Sequence, residues 1–164
     1  MILGLSFSAF ITLHVVISLI GIVTGLVVLL GMLSGRRLYG LTAVFLAATV
    51  LTNVTGFLFP FAQLLPSHVV GIISLVVLAI AIFAIYGKGL TGQWRPIYIV
   101  TATMALYLNV FVGVVQAFQK LAFLQPLAPT QAETPFVVAQ LLVLALFALF
   151  GFLAVKRFRP AGLA

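Results

Sequence analysis

The chain reads as an all-α integral membrane bundle of five transmembrane helices, with the N-terminus outside and the C-terminus cytoplasmic. Three observations lead there. Of 164 residues, 65% are hydrophobic and 5% charged, with a mean hydropathy of +1.40, whereas soluble domains carry about 25% charge and about 45–50% apolar residues. Apolar runs of about 20 residues, the length that crosses about 30 Å of hydrocarbon, recur along the chain. Almost all of the basic residues gather at the same ends of those runs.

Span one covers roughly 9–33 and stops at SGRRLYG, where Arg36 and Arg37 anchor it. It lacks a basic leader and a small-residue cleavage site, so an uncleaved span is expected rather than a signal peptide. Span two, roughly 40–64, stops at QLLPSH; Pro60 and Pro66 flank this turn, and four spans with one re-entrant segment is the competing arrangement. Span three, roughly 67–87, leads into GKGLTGQWRP, a basic turn without the GxxxxGK[ST] spacing of a phosphate loop. Pro96 suits the first turn of span four, roughly 97–122. The outer connection QPLAPTQAETP, stiffened by its prolines, is placed to act as a lid before span five, roughly 135–155, which ends at KRFRPAGLA. No separator is long enough to be an interdomain linker, so one domain over residues 1–164 is expected.

Orientation follows from charge. Arg36, Arg37, Lys88, Arg95, Lys156, Arg157 and Arg159 share one side if the chain starts outside, and Lys120 lies on the other. Tyr39, Tyr86, Trp94 and Tyr98 sit at the same inner ends, where an aromatic belt belongs. A multi-pass protein of a prokaryotic inner (plasma) membrane is expected. The formal charge of +7 lies at span ends, against anionic headgroups, so the lipid bilayer is the expected partner and nucleic acid is not.

Composition also removes chemistries. One acidic residue, Glu133, leaves no paired carboxylates within a chain. Without cysteine there are no disulfides, zinc thiolates or thiol nucleophiles. Nothing in the spacing of Ser8, Ser18 or Ser67 selects a hydrolytic triad, so a non-enzymatic role is expected.

A spacing of 0, 4, 7 and 11 recurs: His14, Ser18, Gly21 and Gly25 in span one, Thr49, Asn53, Gly56 and Pro60 in span two, and Asn109, Gly113, Gln116 and Lys120 in span four. At about 100° per residue each set falls within about a 60° arc of one helix face. Ser67, Gly71 and Ser74 form a shorter copy with His68 on its margin, and Glu133 and Gln140 share a face seven residues apart. The glycines suit close helix packing, Gly21 and Gly25 forming a GxxxG match, and the hydroxyls can bond carbonyls of the preceding turn. Intramembrane imidazoles, amides and ammonium groups must instead face the bundle interior or water. Counted from the basic anchors, His14, His68 and Gln116 lie near the outer boundary, and Asn53, Asn109 and Gln140 one to two turns deeper. An outward-facing polar funnel is therefore expected, sealed on its inner half by apolar residues, without a continuous hydrophilic pore.

The leading functional expectation is a protein that binds an amphipathic small molecule, lipid-like or quinone-like, through His14, Asn53, His68, Asn109, Gln116, Lys120 and Gln140. Lys120 either snorkels to the outer headgroups or pairs with Glu133 across the outer loop. One alternative is a redox protein with haem b ligated by His14 and His68. A zinc or copper ion held by His14 and His68 together with Glu133 or Gln116 is a separate option for the same pair. The other is a structural or assembly subunit, its glycine-rich faces docking on a second copy or a membrane partner.

Overall fold

A computed structural model describes residues 2–60, 63 and 66–159. Five helices follow one another: α1 (Phe7–Leu33), α2 (Tyr39–Gly56), α3 (Pro66–Ile82, prolonged by a π-helical turn over Phe83–Gly87), α4 (Trp94–Lys120) and α5 (Thr134–Arg157). Each is long and apolar enough to cross a membrane. The chain is a bundle of transmembrane helices, and its large exposed side chains, among them Leu19, Val23, Ile72, Val76, Leu141 and Leu142, form an apolar outer surface for lipid.

Local chemistry explains most of the ends. Ser6 caps α1, its hydroxyl accepting from the Ala9 N–H. At the other end Gly35 takes a positive φ of 69°, Arg36 N–H reaches Gly31 O at 2.8 Å and Gly35 N–H reaches Met32 O at 3.0 Å. That paired pattern is a Schellman cap, and glycine supplies its left-handed residue without strain. Pro96 and Pro135 lie in the first turns of α4 and α5, where a missing N–H leaves nothing unpaired.

Span two is shorter than its hydropathy suggests. The helix stops at Gly56 rather than near residue 64, because Phe59 precedes Pro60 and a residue before proline is pushed out of the helical region. Pro60 thus leaves the stripe that begins at Thr49; residues 61, 62 and 64 of the expected span lie outside the described residues.

The first two helices form a hairpin with a regular register. Gly25 faces Phe45, Gly21 faces Thr49, and Gly56 faces His14, so each step up α1 is matched by an equal step down α2. The missing side chains at Gly21 and Gly25 admit groups from two helices at once: Thr49 and Asn109 at the first, Phe45 and Leu106 at the second. The space at these glycines is filled by the chain's own helices. The hydroxyls behave as expected, with Ser18 bonded to His14 O, Thr49 to Phe45 O and Thr52 to Ala48 O.

The dense core occupies the half of the bundle nearest the basic residues. Leu29, Phe45, Leu78, Ala81, Ile99, Ala102 and Leu106 are buried there. At its edge Arg36, Arg37, Tyr98 and Phe158 meet around a space of about 10 Å³, which brings the basic ends of α1, α4 and α5 together. Arg95 reaches across to donate to the carbonyls of Val155 and Phe158, closing the last turn of α5.

Candidate functional site

At the opposite end the bundle opens into a cleft of about 110 Å³. Four helices build it. α1 supplies His14; α2 supplies Thr52, Asn53 and Gly56, with Phe57 just beyond; α3 supplies Ser67, His68, Gly71 and Ser74; α4 supplies Asn109 with Leu108 and Val112.

The polar groups are held in defined orientations. His14 Nδ1 lies 2.7 Å from Thr55 Oγ1, and its ring meets Phe59 edge-on at 5.1 Å. The Thr55 hydroxyl also lies 2.7 Å from Leu51 O, one turn back along α2. A hydroxyl has one hydrogen to give. Given to Leu51 O, it leaves Thr55 Oγ1 as an acceptor, so neutral His14 donates from Nδ1 and keeps a lone pair on Nε2.

Asn53 is fixed by the same kind of argument. Its Nδ2 donates to Thr49 O at 2.8 Å and to Ser74 Oγ at 3.0 Å, spanning α2 and α3. Turning the amide over would set Oδ1 against the Thr49 carbonyl, acceptor on acceptor, so the network fixes which end carries the oxygen. His68 is buried, 6% exposed, and its ring lies against Phe57 at 5.5 Å and 35°. Gly71 makes that arrangement fit, since a Cβ there would lie 3.2 Å from the Phe57 ring. Asn109 packs its Nδ2 against Gly21 without a hydrogen-bond partner among the described residues.

Of the seven residues expected to contact a ligand, His14, Asn53, His68 and Asn109 line this cleft, and Gln116, Lys120 and Gln140 do not. Gln116 shares a face with Asn109, but it is exposed and bonds Gln119 on its own helix. Lys120 is exposed at the end of α4. Gln140 reaches from α5 to Phe111 O at 3.2 Å. Glu133 precedes α5 and accepts from Thr130 and Ala132 rather than pairing with Lys120 or joining the histidines. Those bonds hold its carboxyl below the usual carboxylate range, the Thr130 hydroxyl being the main cause. The connection between α4 and α5 is no lid: none of residues 121–133 lines the cleft, and Gln131 ties the loop to Val115 O on α4.

Thr55, Thr52 and Phe57 were not singled out by the sequence. Thr55 stands two residues from Asn53, about 200° around the helix, and so falls off the polar stripe. The hairpin register would have found it, because any residue paired with His14 must lie beside Gly56.

Size and donor set bear on cofactors. Enclosed sites for drug-sized ligands run to about 300–1,000 Å³, several times the space here, and a haem is larger than most such ligands. With a cleft of about 110 Å³ and Phe57 against the His68 ring, the described residues do not fit a bis-imidazole haem. Among them no three His, Asp or Glu side chains gather as a metal site would require. No family model matches the chain, and neither does any curated protein or solved structure.

Proposed function

We propose that this is a prokaryotic inner-membrane protein, N-terminus outside and C-terminus cytoplasmic, that binds the polar head of an amphipathic small molecule in the cleft at its outer end. The observation that carries the reading is convergence: His14, Asn53, His68 and Asn109, among few strongly polar side chains in the spans, come from four separate helices to one 110 Å³ space. Polar groups inside a membrane are costly, and their usual return is recognition of a ligand or ion. Burial of Leu29, Phe45, Leu78 and Leu106 below them supports a blind cleft, hence binding rather than conduction. The head would sit among the amides and imidazoles, and the tail would run along Val70, Leu108 and Val112 into the acyl chains.

Native mass spectrometry of the protein released from its own membranes tests this. A discrete small amphiphile should accompany the unaltered chain and be lost from the Asn53→Ala variant. Bulk lipid alone on both would overturn the reading. Orientation is tested separately, since the chain has no cysteine: a membrane-impermeant maleimide added to whole cells should label Ala122→Cys and spare Thr91→Cys.

A further inference from the structure

The hydrogen-bond ledger of the cleft is lopsided. His14 and Asn53 each spend their donors on the protein: Nδ1–H on Thr55, and the Asn53 amide hydrogens on Thr49 O and Ser74 Oγ. What each has left is an acceptor, the Nε2 lone pair and Oδ1, and neither meets a donor among the described residues. No carboxylate lines the cleft. Two neutral acceptors with no carboxylate beside them suit an uncharged ligand that donates hydrogen bonds.

Size narrows the choice. An engineered apolar cavity of about 150 Å³ takes up benzene, and the 110 Å³ here, open on one side and walled by Phe57, is on the scale of a single ring. A fused bicycle or a sugar-sized head exceeds it. We infer that the cleft takes one hydroxyl-bearing aromatic ring, and that of a hydroquinone and its quinone it holds the hydroquinone more tightly. The inference rests on the amphiphile-binding reading above. Of the lining amides only Asn109 keeps an unpartnered donor, and its Nδ2 is buried against Gly21; a quinone carbonyl facing His14 Nε2 and Asn53 Oδ1 sets lone pair against lone pair and leaves both unpaired, whereas a hydroquinone hydroxyl donates to either.

The test uses the full chain in lipid nanodiscs, with empty nanodiscs correcting for partition. The probes are decylhydroquinone, kept reduced under argon, and decylbenzoquinone, which has the same ring and tail. Titrations followed by the ¹⁵N shifts of the His14 ring and the Asn53 amide give both affinities, and the free protein reports the tautomer directly. The expected result is an unprotonated Nε2 and at least about tenfold tighter binding of the hydroquinone, since two acceptors are at stake. Thr55→Val removes the acceptor that holds Nδ1–H, and should shrink that preference to a few-fold. The ratio in the unaltered protein decides by itself, so a misfolded variant would not spare the inference. Equal affinities, tighter quinone binding, or no binding of either probe would overturn it. If neither ring binds while a different amphiphile still copurifies in an Asn53-dependent way, the inference falls and the proposed function stands.

Discussion

Gly25→Ala places a methyl group where three atoms already are. The new Cβ would lie 2.5 Å from Leu106 Cδ1 and 2.8 Å from Phe45 Cδ2 and Cε2. Carbon atoms settle about 3.5–4.0 Å apart, so α1 would have to move about 1 Å from α2 and α4, or both side chains would have to turn. Neither can turn freely, because each is 1% exposed in the densest part of the core. Overpacking of this kind costs about 1–3 kcal/mol, offset by about 1 kcal/mol for the better helix propensity of alanine. Gly113→Ala is the control: its Cβ would meet only Ile22 Cδ1, at an ordinary 3.5 Å, so the propensity gain stands nearly alone. Reversible unfolding in mixed micelles by added dodecyl sulfate should therefore separate the two variants by about 1–3 kcal/mol, with Gly25→Ala the weaker. Leu106→Ala, combined with Gly25→Ala, should cost less than the two changes taken separately. A Gly25→Ala protein as stable as Gly113→Ala would refute the packing argument.

Arg95→Ala should fray the end of α5, since the guanidinium donates to Val155 O and Phe158 O; loss of charge-assisted bonds of about 1.5–3 kcal/mol should appear as faster amide exchange at Phe158, and unchanged exchange there would count against the role. Gln140→Leu removes one bond to Phe111 O together with a buried Oε1 that has no partner among the described residues. It should leave stability unchanged or raise it by up to about 2 kcal/mol, and leave binding in the cleft intact; a clear loss of either would contradict the structure. Glu133 has a lowered pKa in the fold, so its contribution to loop stability is fully present above the ordinary value of 4.5 and is lost as pH falls through the lower folded value. Exchange of the Thr130 and Ala132 amides should accelerate on acidification below about pH 4.5, and Glu133→Gln should abolish that dependence.

Much of the bundle was legible in one dimension. Span number, the basic end and the sealed half follow from hydropathy and charge, which add up along a segment whatever its neighbours do. The polar stripes of α1 and α3 were legible too, as 100° periodicity, and Ser67, Gly71 and Ser74 all reach the cleft together. The residues left outside the cleft each have a partner that a helix face does not encode. Gln116 shares a face of α4 with Asn109, but its side chain is exposed and bonds Gln119 on its own helix. Gln140 and Glu133 share a nominal face on span five, yet one bonds α4 and the other closes its own loop.

The sequence by itself determined that this chain has five segments fit to cross a membrane, with all its cations but Lys120 at one end and scarce amides and imidazoles toward the other. Only the tertiary structure decided which of those groups meet, because meeting depends on where each helix stops and how it is turned against the next. His14 acquires its tautomer from a threonine forty-one residues away, and Asn53 its orientation from a serine on α3. Hydrogen bonds are directional and act over about 3 Å, so no pattern read along a single helix could have set them.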